Sequence, residues 1–309
     1  MTACELDDSI AWNALLTART LLGQGARRLA LVGDGQGWAC VAADDPRAES
    51  AAAPVLRFGL DPEPDVPAGR PVPAALQAVA RVYLPVLLGA AAARAAGRSF
   101  VVAHVTQTLD GRIACQNGHS QWIGNAADLR HAHRMRALCD GVMVGSATAI
   151  ADDPQLTVRV VDGPAPRRIV LSGSGRVVQR GGSLRVFTGA GADIVVGEHA
   201  EVPQPPAPTH LVRVAPDGAR LAPAAVLEAL RARGWTSIYL EGGSVTLSSF
   251  LAAGCIDLLQ IHVAPMVLGS GIPSFALPMI EHLDGATRFA MDHVSLDGHL
   301  LLTCRPQRP

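Results

Sequence analysis

The chain has 309 residues, of which 49% are hydrophobic and 17% are charged, so it is long enough for two domains and is predicted to be globular. Its 26 basic and 27 acidic residues leave a net charge of -1, which excludes a general electrostatic attraction for nucleic acid or anionic lipid. The six cysteines are scattered singly without a C-x-x-C pair, which argues against a zinc site and a disulfide framework. We therefore expect no bound metal and a reducing, cytoplasmic location.

No segment predicts export or membrane insertion. The N-terminus lacks both the basic and the apolar region of a signal peptide. The apolar run from Val82 to Ala96 is interrupted by Pro85 and Arg94 and is too short to span about 30 Å of hydrocarbon. Neither a membrane nor a nucleic acid is therefore expected as a partner.

Residues 1–97 differ in pattern from the rest and are predicted to form a small N-terminal region. Apolar residues with helical spacing run from Ser9 to Leu22. Two short apolar segments, Leu29–Gly33 and Trp38–Ala42, flank a glycine-rich turn at residues 34–37. This pattern predicts a helix followed by a β-hairpin.

A proline-rich stretch interrupts regular structure near residues 61–73, where a proline stands at nearly every second or third position. It predicts a linker or an extended strap. Residues 74–97 return to helical composition, and Pro85 is expected to divide them into two helices. The second predicted domain comprises residues 98–309.

From Ser99 onward, apolar runs alternate with amphipathic helices, which is typical of an α/β domain with parallel strand pairs. The last two runs flank a turn and predict an antiparallel closing hairpin. The predicted strands are Phe100–Val105, Gly141–Gly145, Arg168–Leu171, Leu184–Phe187, Ala192–Val196, Leu211–Val214, Ser237–Leu240, Leu258–Val263, Phe289–Val294 and Leu300–Cys304. The predicted helices are Ala126–Leu138, Ala222–Arg233 and Thr246–Ala253.

Six separated segments carry the most specific signal: residues 106–114, 120–123, 130–136, 144–159, 239–247 and 263–271. Their order and spacing resemble the reductase domain of the bifunctional riboflavin-biosynthesis deaminase/reductase family, over roughly residues 98–305. The resemblance implies a three-layer, dihydrofolate-reductase-like α/β domain with a mostly parallel mixed sheet. It also implies a homodimeric, NADPH-dependent reductase that converts the ribosyl group of a ribosylaminopyrimidine 5′-phosphate to a ribityl chain.

The segment Glu241-Gly242-Gly243-Ser244 lies between a predicted buried strand and a helix. The free N–H groups of a helix N-terminus can bind a cofactor pyrophosphate where glycines permit a close approach. The same residues are also compatible with a tight strand-to-helix turn that carries a hydroxyl N-cap. The resemblance favours the cofactor loop.

The resemblance implies cofactor contacts at the eight residues from Gly242 to Ser249 and at five residues elsewhere in the chain. Those outside are Thr106, Trp122, Thr148, Asp152 and Ser172. Those within are Gly242, Gly243, Ser244, Val245, Thr246, Leu247, Ser248 and Ser249. A core or interface position is the alternative for Trp122, because aromatic side chains commonly occupy both.

The resemblance also implies a substrate site made of Ser120, Arg136, Leu156, Arg159 and Glu241. Two guanidinium groups can bind a phosphate in bidentate fashion, and a carboxylate can orient or protonate a polar sugar or base. A solvent-exposed helix face is the alternative for Arg136.

Two departures from the family separate this chain from its typical members. Residues 1–97 lack the H-x-E and P-C-x-x-C motifs of the zinc deaminase domain, so we expect no deamination by that chemistry. The family commonly has a lysine where this chain has His104. We expect His104 and Glu241 to be the catalytic residues, although a histidine satisfied within the sheet remains the alternative for His104.

Other activities remain open for a chain with these departures. One is a specialised reductase that acts on a different small polar substrate. Another is a catalytically silent homologue that binds a nucleotide for regulation or scaffolding. A turnover assay is the observation that separates a reductase from the silent homologue.

Overall fold

The computed structural model describes residues 9–33, 38–49, 55–59, 74–179, 184–217 and 220–307. The chain divides into two compact units, residues 1–97 and residues 98–309. The predicted proline-rich linker and the turn at 34–37 lie outside the described residues.

The described residues of the first unit form three helices and a three-stranded antiparallel sheet of order β2-β1-β3. The predicted helix and hairpin at its start are confirmed, because β1 and β2 pair with Leu31 opposite Cys40. Its elements are α1 (Ser9–Gly23), β1 (Arg28–Gly33), β2 (Trp38–Ala42), α2 (Pro46–Glu49), β3 (Val55–Gly59) and α3 (Ala74–Ala95).

Helix α3 corrects the prediction that Pro85 divides this segment into two helices, since Pro85 lies inside one continuous helix. A proline in a helix costs about 3 kcal/mol. Burial of one large apolar side chain stabilises by about 1.5–3 kcal/mol, and Tyr83, Val86 and Leu87 are all buried beside Pro85. Tyr83 also contacts the edge of Trp12 on α1, with ring centroids 5.8 Å apart. Tertiary packing therefore outweighs the local penalty.

Among the described residues, only the α3 segment Gln77–Ala95 is long and apolar enough to cross a membrane by length and composition. Half of that segment is buried within the structure, and the core helix of a globular unit meets the same criteria.

The second unit contains a nine-stranded sheet and two small two-stranded sheets. Its strands are β4 (Phe100–Thr108), β5 (Arg112–Cys115), β6 (Gly141–Gly145), β7 (Arg167–Leu171), β8 (Asp193–Gly197), β9 (His210–Val214), β10 (Pro216–Asp217), β11 (Arg220–Leu221), β12 (Ser237–Leu240), β13 (Leu258–Ala264), β14 (Gly271–Pro273), β15 (Phe289–Leu296) and β16 (His299–Pro306). Its helices are α4 (Ala126–Leu138), α5 (Ser146–Asp152), α6 (Arg176–Gln179), α7 (Pro223–Ala232) and α8 (Ser244–Ala252), with 3₁₀ turns at Arg185–Phe187 and Leu283–Gly285.

The nine strands run in the order β15-β16-β13-β4-β12-β6-β7-β8-β9. Neighbouring strands from β13 to β9 are parallel, whereas β16 is antiparallel to both β13 and β15. Strands β6 and β12 are buried along their whole length, as expected for parallel strands in the centre of a sheet. The predicted α/β fold with a mostly parallel sheet and a closing C-terminal hairpin is confirmed.

One predicted strand in this unit is wrong. Residues Arg185–Phe187 form a 3₁₀ turn rather than part of a strand. Side chains supply the hydrogen bonds that a strand ladder would have supplied. The buried Arg168 guanidinium donates to the carbonyls of Arg185 and Thr188, and the Arg185 N–H donates to Asp153 Oδ1 at 2.7 Å.

A buried carboxylate, Asp193, ties strand β8 to its surroundings. It is fully buried and accepts hydrogen bonds from Arg167 at 2.7 Å, Arg233 at 3.2 Å and the Trp235 indole at 3.1 Å. Burial alone would raise the pKa of Asp193, but the hydrogen bonds and charges of Arg167 and Arg233 bring that pKa below its ordinary value. Asp193 is therefore ionised in the folded protein.

We expect Asp193→Ala to lower the free energy of unfolding by about 3–5 kcal/mol, because it leaves Arg167 without its buried partner. Because the pKa of Asp193 is lowered by folding, its charged contacts stabilise the fold at pH values above the unfolded-state pKa, about 3.9. This stabilisation is lost as the pH falls through the folded-state pKa of Asp193. Urea unfolding at neutral and acidic pH measures both effects. An equal deficit for the variant at both pH values would contradict the charge argument.

Candidate active site

A cavity of about 1270 Å³ lies at the carboxyl ends of the central strands β4, β6 and β12. Ligands of open α/β sheets bind at this edge because the loops that follow parallel strands meet there. Fourteen of the predicted site residues line the cavity: His104, Thr106, Ser120, Trp122, Thr148, Asp152, Glu241, Gly242, Gly243, Ser244, Val245, Thr246, Leu247 and Ser249. Sequence segments separated by more than 100 residues therefore meet at one site.

Two loops of the cavity wall approach closely enough to require glycine. The Gly243 N–H donates to Thr148 Oγ1 at 3.1 Å, and a Cβ on Gly243 would lie 2.8 Å from that oxygen. A Cβ on Gly145 would lie 2.5 Å from Thr246 Oγ1. Gly242 has a φ of +87°, which L side chains rarely adopt. These contacts hold the loop before α8 against the start of α5.

The start of α8 fits an anionic group of a dinucleotide. No side chain caps this end of the helix, whose N-cap residue is Gly243. The Ser244 hydroxyl is buried and has no hydrogen-bond partner among the described residues. A Cβ on Gly242 would meet no atom within 4 Å, so the backbone faces open space. Free N–H groups and an unpartnered hydroxyl are the donors that a pyrophosphate requires.

Trp122 lies on the rim of the cavity and is 85% exposed. Its exposure excludes the core position that was the alternative for this residue. An exposed aromatic surface beside a large cavity is available to stack on a planar ligand.

Arg136 and Glu241 form a bidentate ion pair at the inner end of the site. Arg136 Nε and Nη2 donate to the Glu241 carboxylate at 2.6 and 2.7 Å, and Nη1 donates to the Thr157 carbonyl at 3.0 Å. Arg136 is buried, so the solvated helix face that was its alternative is excluded. Because Glu241 lines the cavity, the pair fixes the direction of its carboxylate.

Five predicted site residues do not line the cavity: Arg136, Leu156, Arg159, Ser172 and Ser248. Two of them have structural partners, since Ser172 Oγ accepts the Val177 N–H and Ser248 Oγ accepts the Ala276 N–H. Leu156 is fully buried.

Arg159 is exposed and belongs to a cluster of positive charges. Its guanidinium contacts Thr157 Oγ1 at 3.4 Å, and the carbonyl of the same threonine binds Arg136. The pKa of Arg159 is lowered, mainly because its guanidinium is partly shielded from solvent. The positive charges of Arg136 and Arg185 lower this pKa further. The cluster lies beside the Glu241 end of the site and is suited to attract an anion.

Comparison with known proteins identifies the family. Residues 99–299 match the RibD C-terminal domain. The chain belongs to the RibD C-terminal domain family. The resemblance drawn from the sequence motifs is thereby confirmed.

Curated relatives of the RibD family match the second unit. The riboflavin biosynthesis protein RibD of Mycobacterium tuberculosis is 35% identical over 204 residues, which cover 64% of this chain and 53% of the relative. The 2,5-diamino-6-ribosylamino-4(3H)-pyrimidinone 5′-phosphate reductase of Methanothermobacter thermautotrophicus is 34% identical over 177 residues, which cover 56% of this chain and 80% of the relative. The match therefore spans about half the length of the first relative.

Solved structures share the fold. Acinetobacter baumannii RibD has a TM-score of 0.64 at 19% identity, over 97% of this chain and 99% of that chain. The Saccharomyces cerevisiae riboflavin biosynthesis reductase Rib7 has a TM-score of 0.57 at 20% identity, over 68% of this chain and 91% of that chain. The likeness to the RibD structure extends beyond the matched domain into residues 1–97.

Sequence reasoning missed three charged residues that line the cavity of this RibD-family domain, Asp128, Arg176 and Arg220. Asp128 stands in the first turn of α4 and its N–H donates to the N-cap Asn125, so its pattern is that of an ordinary helix start. Arg176 begins the short helix α6, and its Nε lies 3.1 Å from Ser146 Oγ. Only the sheet topology brings Asp128 and Arg176 to the site.

The described residues contain no group of three or more His, Cys, Asp or Glu side chains arranged to hold a metal ion. His131 and His133 of α4 have separate partners, since His131 contacts Gln260 and His133 accepts the Arg159 N–H. The absence of a metal remains a prediction for elemental analysis to test.

Proposed function

We propose that residues 98–309 catalyse the NADPH-dependent reduction of a ribosylaminopyrimidine 5′-phosphate, in which the ribosyl group becomes a ribityl chain. The observation that carries the proposal is the large cavity of this RibD-family domain, which brings the uncapped glycine loop together with the ion-paired carboxylate of Glu241. Membership of the family supports a riboflavin-type pathway. We further expect a cytoplasmic homodimer in which residues 1–97 have a separate role.

At the cofactor end, the loop Gly242 to Ser249 with Thr148 and Asp152 would hold the dinucleotide. When bound, NADPH supplies the hydride that forms the new C–H bond at C1′ of the sugar. The protein contributes the cavity wall that aligns nicotinamide and sugar, with Trp122 available to cover a planar ring. Arg176 and Arg220 also line the cavity and offer positive charge to the additional phosphate of NADPH.

At the substrate end, the sugar would lie between Glu241 and His104, which line the cavity. Its 5′-phosphate would point toward Arg159, which lies outside the cavity wall and interacts electrostatically with Glu241. Formation of the C–H bond at C1′ is accompanied by cleavage of the bond from C1′ to the ring oxygen, which then needs a proton. Arg136 keeps the Glu241 carboxylate in place. Because this ion pair occupies part of the Arg136 guanidinium, Arg136 does not offer its full set of donors to the phosphate.

Arg159→Ala is expected to raise KM for the phosphorylated substrate about ten- to a hundredfold while leaving the Kd for NADPH unchanged. A hydrogen bond to a charged group contributes about 1.5–3 kcal/mol, and the exposed Arg159 guanidinium has no ion-pair partner among the described residues. Steady-state kinetics with the phosphorylated substrate and its dephosphorylated analogue measure the effect.

The control for this prediction is Arg213→Ala, which removes an exposed guanidinium from β9 at the far edge of the sheet. It should leave both substrates unaffected. Equal KM values for the two substrates in the wild type, or no effect of Arg159→Ala, would exclude Arg159 from phosphate binding.

A calorimetric titration tests the cofactor half of the proposal without turnover. NADPH should bind saturably, and the exposed Trp122 indole should report binding by a change in fluorescence. The absence of saturable binding by NADPH and NADH would refute the proposed function.

A further inference from the structure

A buried carboxylate that the proposed reaction does not use lies directly behind His104. Asp128 Oδ2 accepts the Thr106 hydroxyl at 2.7 Å, while Oδ1 lies 3.3 Å from His104 Nε2 and 3.2 Å from His262 Nδ1. A Cβ on Gly124 would lie 2.2 Å from Asp128 Oδ2, so the glycine leaves room for the carboxylate. Two strands, β4 and β13, thus meet helix α4 at one buried acid.

The charge of this acid requires a cation nearby. Burial alone would raise the pKa of Asp128, but the adjacent His104 imidazole, with smaller effects of His262 and Thr106, holds that pKa well below its ordinary range. An ionised carboxylate that is buried is stable only when a positive group pairs with it. Among the described residues, the basic side chains within 4 Å of the Asp128 carboxylate are His104 and His262.

Four ionisable side chains from three elements surround His104. On α4, Asp128 pairs with it and His131 packs edge-on, with ring centroids 5.2 Å apart. On β12, Tyr239 stacks on it at 6.0 Å, and on β13, His262 lies across the carboxylate. His104 itself lies on β4. Of the imidazoles that contact Asp128, His104 lines the cavity and His262 does not.

The three neighbours of His104 other than Asp128 are uncharged near neutral pH. Burial lowers the pKa of His131 to about 3 and that of His262 to about 4. Burial also raises the pKa of Tyr239 well above its ordinary value, so its phenol stays neutral. Of the two imidazoles within 3.3 Å of the Asp128 carboxylate, His104 is the one that lines the cavity.

We propose that Asp128 is a positioning residue that holds His104 in its protonated form, so that an imidazolium faces the reacting sugar. The inference rests on the proposed function, in which His104 lies at the substrate end of the cavity. A lysine at position 104 would carry its charge unaided, whereas a histidine depends on its neighbours for charge at neutral pH. Asp128 and His104 thus act as one cationic unit.

Asp128→Asn tests this unit, because it removes the charge with little change of shape. We expect kcat at neutral pH to fall about tenfold or more, and the alkaline limb of the rate profile to move to lower pH, since no carboxylate favours the protonated ring. The Kd for NADPH should stay within about twofold of the wild-type value.

The matched control is Asp140→Asn, which removes a part-buried carboxylate bound to Thr236 and Ser237 at the opposite end of the strands. The Asp140→Asn variant should show the same dependence of kcat on pH as the wild type.

A double-variant cycle separates positioning from a structural role. In a His104→Gln background, Asp128→Asn should reduce kcat by less than about twofold, because the group on which it acts is gone. An equal cost in both backgrounds, or an unchanged kcat for His104→Gln alone, would overturn the proposal.

Ring-nitrogen NMR gives a readout that does not depend on turnover. The signal of His104 is identified by its loss in His104→Gln, among the ten histidines of the chain. At neutral pH it should be that of an imidazolium in the wild type and that of a neutral ring in Asp128→Asn. A neutral ring in the wild type overturns the inference, whether or not the protein reduces the substrate.

Discussion

Glu241→Ala is expected to lower the free energy of unfolding by about 3–5 kcal/mol and to reduce kcat/KM at least about a hundredfold. The stability loss follows because buried Arg136 keeps its charge without the carboxylate that binds it at 2.6 and 2.7 Å. The activity loss follows because Glu241 is the carboxylate that faces the substrate end of the cavity, and a positioned acid or base commonly contributes about 10²–10⁴ in rate. Chemical denaturation and steady-state kinetics measure the two losses.

A control and a double variant separate these two effects. Asp153→Ala removes a far more exposed pair with Arg185, whose side chains are 40% and 52% exposed, and should cost about 1 kcal/mol or less. Glu241→Leu combined with Arg136→Met replaces the whole buried pair with apolar groups and should restore most of the stability. Activity should stay low in that double variant. Recovered activity would exclude Glu241 from the chemistry.

Gly242→Ala is expected to weaken NADPH binding about ten- to a hundredfold. The new Cβ would meet no protein atom within 4 Å, so it would project into the space proposed for the pyrophosphate. Blocking one or two charge-assisted hydrogen bonds from the loop removes about 1.5–3 kcal/mol of binding free energy. Isothermal titration of the variant with NADPH measures the loss.

The chain offers a matched control for backbone strain at this position. Gly234 has a φ of +88°, almost the value of +87° at Gly242, and a Cβ there would also meet nothing within 4 Å. Both alanine variants should lose about 1–2 kcal/mol of stability. Only Gly242→Ala should lose affinity for NADPH. Equal affinities would show that the loop does not contact the cofactor.

Much of the fold could be predicted from the sequence because local pattern and tertiary packing agree in the second unit. The bounds of α4 were predicted at both ends, where the structure has Asn125 as the N-cap and Cys139 as the C-cap. The errors arose where distant groups override local preference. Pro85 is retained within α3 by the packing of Tyr83 against α1, and Arg168 holds residues 185–187 out of a strand.

Cavity-lining residues could be predicted where they belong to a sequence motif, as do the residues from Gly242 to Leu247. They could not be predicted where they pair across the sheet. Nothing local to Arg136 indicates Glu241, which lies 105 residues away in sequence. Asp128 and His262 are likewise brought together only by the position of α4 beside β13.

Turnover is the most direct test of the central claim. The purified protein should oxidise NADPH in stoichiometric proportion to a ribosylaminopyrimidine 5′-phosphate, and mass spectrometry should find the ribityl product two hydrogen masses heavier. NADPH deuterated at the transferred hydrogen should deliver the label to C1′ of that product. NADPH binding without oxidation by this substrate would contradict the assignment and leave a nucleotide-binding protein of another function.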